Sequence, residues 1–288
     1  MTGNNIGSIK PTSIDWHIWM SCNLSCKFCF KTSEGFLNTL PENSASNLTL
    51  SESREVLEIL FSEGFEKITF AGGEPTLYPY LPEIMTCAKE IGFTVMLVTN
   101  GHRISDQYLD KIVKSVDAIK ISIDSPDEIT QLNLGRGKGD HVTKAVEASL
   151  KVKAHNIPLM INTVVTSLNY QQDMSPIIEL LKPVRWKVFQ VLRERGENDH
   201  FQAWCTDAQF QEFVFRHEKY SPVAESNDLM RGSYVMMDPI GRFMQDLTGG
   251  YLYSKSILQI GVEEALREVG WDAVRFLKRG GLYQWKFV

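Results

Sequence analysis

The chain has 288 residues, 43% of them hydrophobic and 23% charged, with a formal net charge of −5. That length and apolar content suffice for one large α/β core, whereas the negative balance argues against a surface built to coat nucleic acid. No apolar stretch reaches the roughly 18 residues of a membrane span, residues 1–10 lack the basic and apolar regions of a signal peptide, and an odd count of five cysteines suits a reducing cytoplasmic setting better than a disulfide framework.

Residues 1–12 are expected to be a short flexible N-terminus, and the first predicted strand runs over 14–19. Its Asp15 and His17 alternate and therefore share a face. Next comes Cys22-Asn23-Leu24-Ser25-Cys26-Lys27-Phe28-Cys29, three thiols spaced for three irons of a [4Fe–4S] cluster. Electron-carrying clusters of that type take four cysteines, and Cys87 and Cys205 lie far off in no comparable motif. One iron is thus left open to a ligand; a partial zinc site is the alternative, though zinc favours paired Cys-x-x-Cys or added histidines.

Residues 38–47 are polar and read as loop, and 51–63 read as an amphipathic helix opened by a Thr49-x-x-Glu52 capping box and ended by Gly64. A strand over 67–70 leads into Ala71-Gly72-Gly73-Glu74-Pro75, where the two glycines permit a close backbone approach to a ligand. Strands then follow over 94–99, 118–123, 159–165 and 186–190, separated by helices near 81–90, 106–114, 142–154 and 174–181. Six strands joined by five helices predict an α/β fold with a partial, open (β/α)6 barrel, whose ligands sit at the C-terminal strand ends. Ser122 and Asp124 alternate on one face, as do Arg185 and Lys187, which point either to the lumen or to the helix layer. After 190 the rhythm breaks. A polar stretch over 193–198, a helix over 207–220, a short strand near 234–237 and the turn Lys278-Arg279-Gly280-Gly281 read as a C-terminal α+β extension over 191–288 that closes the barrel of 13–190.

The cysteine triplet together with Gly72-Gly73-Glu74-Pro75 resembles the radical S-adenosylmethionine superfamily, in which the amino and carboxylate groups of S-adenosylmethionine chelate the open iron. Within it, the segments 22–32, 121–125 with Gly135-Arg136-Gly137, 183–190, 196–198, 225–227 and 276–281 resemble the viperin-like enzymes, in order from about Ile14 to the C-terminus. The resemblance implies a dehydratase that converts a ribonucleoside triphosphate (CTP, UTP or GTP) to its 3′-deoxy-3′,4′-didehydro analogue, a chain terminator used in antiviral defence. It implies two cofactors, the [4Fe–4S] cluster and S-adenosylmethionine, and an external one-electron donor; a monomer without membrane or nucleic-acid partners is expected.

Carried over residue by residue, Cys22, Cys26 and Cys29 hold the cluster, while Gly72, Gly73, Glu74, Asn100, Ser122, Asp124 and Arg136 bind the cofactor. An arginine suits the methionine carboxylate because its planar fork binds bidentately. Asp15, His17, Lys67, Asn162, Arg185, Lys187, Lys278 and Arg279 are the implied substrate contacts, and Tyr234 is the implied catalytic residue, placed to give hydrogen to a substrate radical or to position its ribose. Met160 stands where the animal pattern has a lysine that contacts the nucleotide, which leaves the nucleobase open. A peptide-modifying enzyme of the same superfamily is the rival reading, although such enzymes usually carry further cluster cysteines in a C-terminal extension and this one has only Cys205. A non-enzymatic iron–sulfur carrier is opposed by the missing fourth ligand.

Overall fold

The structure is a computed structural model that describes residues 10–42, 46–247 and 249–282. Residues 1–9 of the expected flexible N-terminus and 43–45 of the expected loop lie outside the described residues.

All six expected strands form: β1 (Ser13–Trp19), β2 (Lys67–Gly72), β3 (Thr94–Thr99), β4 (Ala118–Ser122), β5 (Leu159–Val165) and β6 (Arg185–Gln190). They lie parallel in sequence order. The connections carry α1 (Ser33–Leu37), α2 (Leu50–Ser62), α3 (Leu81–Ile91), α4 (Asp106–Ile112), α5 (Glu128–Asn133), α6 (His141–Ala154) and α7 (Ser175–Leu181). The capping box opening α2 is present in both directions: Glu52 N donates to Thr49 Oγ1 at 3.2 Å and Thr49 N donates to Glu52 Oε2 at 2.8 Å. Two short helices, α1 and α5, were not expected; each is under seven residues and shows no readable apolar period.

The rest of the chain extends the same sheet at both sides. After α8 (Asp207–Arg216), strand β7 (Val223–Glu225) pairs with β6; beyond α9 (Asn227–Met230), β8 (Met236–Met237) pairs with β1, followed by the antiparallel strands β9 (Arg242–Asp246) and β10 (Tyr251–Ser256). The helix expected over 207–220 is divided into α8 and a 3-10 turn at Glu218–Tyr220. Helices α10 (Ile257–Glu268) and α11 (Ala273–Lys278) complete the described chain. The strand order is β10-β9-β8-β1-β2-β3-β4-β5-β6-β7, so no ladder joins the two edges and the barrel is open.

Alternation along the strands sorts the side chains. Ile14, Trp16, Phe70, Leu97, Ile121 and Val188 are fully buried under the helices. The opposite face is rich in polar groups, among them Asp15, Thr69, Lys120, Asn162 and Lys187. Lys120 on β4 reaches Thr69 on β2 across β3, and Lys187 on β6 reaches Tyr234 beside β8. Only a rolled sheet brings those pairs together, and the polar face is therefore its lumen.

Candidate active site

The cysteine loop leaves the C-terminal end of β1. Cys22 is exposed and Cys26 and Cys29 are half-buried, with Cys29 Sγ donating to Lys31 O at 3.0 Å. Burial pushes the Cys29 thiol up to about 12, so ligation there must expel a proton. From the far side the loop is clamped by Glu197, whose carboxylate accepts from Thr32 N, Thr32 Oγ1 and Lys31 Nζ at 2.6–2.8 Å. Among the described residues, no three Cys, His, Asp or Glu side chains converge as a single metal ion requires. Three thiols spread along one loop suit a multinuclear cluster, in which each binds a separate iron.

Gly72 and Gly73 pack against that loop. Cβ atoms at these positions would lie 2.1 Å from Trp19 O and 2.3 Å from Met20 O, inside any real contact. Their immediate role is thus close backbone docking, and Gly73 N and Glu74 N donate to Trp19 O and Ser21 O at 2.7 and 2.9 Å. The buried Glu74 carboxylate is taken up within the fold, accepting from Thr76, from Thr99 Oγ1 at 2.7 Å and from Asn100 N at 2.8 Å. Asn100, so fixed, donates to Asn23 Oδ1 at 2.8 Å and stands 4.0 Å from Cys22 Sγ. Arg136 is buried, ion-paired with Asp124 and seated 5.3 Å over the Phe28 ring, beside the thiols of Cys26 and Cys29. It is therefore no solvated loop charge. Ser122 ends β4 next to Asn162, and its carbonyl meets His141 Nε2 at 3.0 Å.

Below the loop, the lumen holds a cavity of about 70 Å³ lined by Asp15, Lys120, Asn162, Lys187, Tyr234 and Arg279 among others. Lys187 Nζ donates to Glu225 Oε1 at 2.6 Å and to the Tyr234 hydroxyl at 2.9 Å. The Tyr234 hydroxyl donates to Glu225 Oε2, and the Arg279 guanidinium lies 3.7 Å above its ring. With its proton directed at Glu225, Tyr234 is fixed between Lys187 and Arg279. Burial drives Lys120 down to about 7, with Asp15 opposing and Lys187 and Arg185 reinforcing. Burial likewise lowers His17 to about 4 and keeps it neutral. Asn162 Oδ1, which lines the cavity, is buried with no hydrogen-bond partner among the described residues, which in a polar cavity points to a ligand; His17 Nδ1, on the same face of β1 as Asp15, is likewise buried and unpartnered among them.

Not every expected contact arrives. Lys278 is exposed in the last turn of α11, because one helical step separates it from the inward-turned Arg279. Lys67 is on the lumen face but at the N-terminal start of β2, two residues before Thr69, and does not line the cavity. Arg185 also sits one lumen step below Lys187, near enough to act on Lys120. Conversely, Lys120 and Glu225 were missed. Lys120 was legible, since it stands two residues before Ser122 on the same strand; Glu225 was marked only by the resembling segment 225–227, since β7, three residues long, shows no period of its own.

Residues 17–181 match the Radical SAM superfamily. The chain belongs to that superfamily. Its members use a [4Fe–4S] cluster and S-adenosylmethionine. Several relatives are named S-adenosylmethionine-dependent nucleotide dehydratase. The one from Lacinutrix mariniflava is 42% identical over 96% of this chain, which spans 59% of that relative's length. The one from Flammeovirga pacifica is 39% identical over 99% of both chains. A third, from Siniperca chuatsi, named S-adenosylmethionine-dependent nucleotide dehydratase RSAD2, is 36% identical over 96% of this chain and 80% of its own. The chain is a member of this nucleotide dehydratase family. Among solved structures, native anSMEcpe with bound AdoMet has a TM-score of 0.69 at 16% identity, covering 92% of this chain and 84% of that one, a likeness of fold.

Proposed function

We propose that this radical S-adenosylmethionine enzyme dehydrates a ribonucleoside triphosphate to its 3′-deoxy-3′,4′-didehydro analogue. The observation that carries the reading is the charge of the lumen: among the described residues five cations, Lys67, Lys120, Arg185, Lys187 and Arg279, face two carboxylates, Asp15 and Glu225. A barrel interior with that excess in an otherwise anionic chain suits a polyanion, and a nucleoside triphosphate carries about four negative charges. The relatives named nucleotide dehydratase support the same substrate class.

When bound, the cluster and S-adenosylmethionine supply the adenosyl radical that takes the ribose C4′ hydrogen. The chain's own residues do the rest by placement. Lys187 and Arg279 grip phosphate oxygens with Lys120 and Arg185 below, fixing the depth of the ribose. Asn162 Oδ1 and His17 Nδ1 offer polar contacts to ribose or base, and the buried Phe28 packs against Arg136 beside the thiols. Loss of the 3′-hydroxyl as water requires one proton, and one electron then closes the C3′=C4′ double bond. The product lacks a 3′-hydroxyl and would end an RNA chain, which supports a role in antiviral or antiphage defence.

The test is anaerobic incubation of the reconstituted protein with dithionite, S-adenosylmethionine and each of the four triphosphates. The accepted one, deuterated at C4′, should deliver one deuterium to 5′-deoxyadenosine and give a product lighter than substrate by one water. Unlabelled 5′-deoxyadenosine with every triphosphate would sink the assignment.

A further inference from the structure

We infer that Arg193, Arg195 and Arg231 form the docking surface for an acidic protein that carries one electron to the cluster. The inference rests on the cofactor assignment and goes beyond the proposed reaction, which leaves open where the reductant binds.

The first observation is charge. In a chain of net charge −5, these three arginines line a surface cleft of about 360 Å³ with Asp199 and Gly249. Arg193 and Arg195 are exposed, and among the described residues Asp199 is the sole acid on the lining, 3.9 Å from Arg193. Arg231 pairs with the buried Asp246 at 3.2 Å and donates to Arg193 O at 3.3 Å. The neighbouring Glu194 is buried and lifted to about 9, first by burial and then by the nearby Asp246 carboxylate, so it adds no charge at neutral pH.

The second is position. The segment carrying Arg193 and Arg195 continues into Glu197, which clamps Lys31 and Thr32, and Asn198, whose Nδ2 donates to Phe28 O at 3.1 Å. It is seated directly on the cysteine loop. Packed rings lead inward: the Arg193 guanidinium lies 5.8 Å over Trp204, Trp204 meets Phe201 at 5.1 Å, and Phe201 meets Phe28 at 6.1 Å. Phe28 immediately precedes Cys29. A carrier seated on the arginines thus approaches the cluster through packed protein, whereas one entering by the lumen would displace the nucleotide. In the step itself, one electron leaves the reduced flavin or iron–sulfur centre of the carrier, which is oxidised by one, and enters the cluster; no bond forms or breaks.

The test compares the wild type with an Arg193→Glu/Arg195→Glu double variant, using a bacterial flavodoxin as carrier. Calorimetry with oxidised flavodoxin should show wild-type binding that weakens as salt rises, and an affinity at least about tenfold lower in the variant. Flavodoxin-driven 5′-deoxyadenosine formation should fall by a similar factor, while dithionite-driven formation stays within about twofold. Unchanged flavodoxin binding overturns the proposal. So does an equal loss with dithionite, which would mean that the substitutions damage the cluster site, or a cleft that binds inorganic phosphate but not flavodoxin. A wild type that forms no 5′-deoxyadenosine with dithionite would instead count against the cofactor chemistry, with the calorimetric result still deciding the surface.

Discussion

Replacing Lys187 with methionine removes the cation at the centre of the lumen while keeping most of its length. Its ammonium is buried and donates at 2.6 Å to Glu225 and 2.9 Å to Tyr234. Burial alone would raise the Glu225 carboxyl, but Lys187 and Arg279 outweigh it and hold the group below its ordinary value. Breaking one side of a buried pair costs about 3–5 kcal/mol. Arg279, 3.9 Å from Glu225, and the Tyr234 hydroxyl remain, which places the loss near the lower end, about 3 kcal/mol. Triphosphate binding loses a charge-assisted contact of roughly 1.5–3 kcal/mol, about 10- to 150-fold in affinity. The two effects separate in a Lys187→Met/Glu225→Gln double variant, which no longer buries an underpaired carboxylate. Thermal unfolding should show stability largely restored, and calorimetry with inorganic triphosphate should show affinity still lost. A double variant that binds triphosphate like the wild type would refute the phosphate role of Lys187.

Three further outcomes are expected. Cys26→Ala should abolish the visible absorption of the reconstituted cluster, whereas Cys205→Ala, a buried core position whose thiol donates to Thr206 O at 3.5 Å, should leave it intact. Gly73→Ala forces a Cβ to within 2.3 Å of Met20 O, so the variant should bind less iron, as measured by iron content after reconstitution. Lys120 has a folded value near 7, far below its ordinary one, so between those values the unfolded chain binds the extra proton and stability rises with pH, by up to about 1.4 kcal/mol per unit. Lys120→Met should flatten that rise in denaturant titrations. Triphosphate binding above pH 7 should take up a proton in the wild type, shown by calorimetry in buffers of different ionisation enthalpy, and the variant should lose the uptake.

What the sequence by itself determined is local. Cys22, Cys26 and Cys29 lie within eight residues, and Gly72 to Pro75 follow directly on a strand, so their chemistry is readable without knowing the fold. The six strands were legible from short apolar runs and their spacing, and the capping box of α2 from four letters. The inward direction was not. Both faces of a parallel sheet are covered, so alternation says that Arg185 and Lys187 share a side but not that this side is the lumen. That was decided by the outer helices, which claim Trp186 and Val188. Nor could spacing show that Glu225 would meet Lys187 from a three-residue strand 38 positions later, or that Arg279 turns inward while Lys278 faces water. Such contacts depend on how the C-terminal segment packs against the lumen, an arrangement fixed by long-range packing and invisible to any local period.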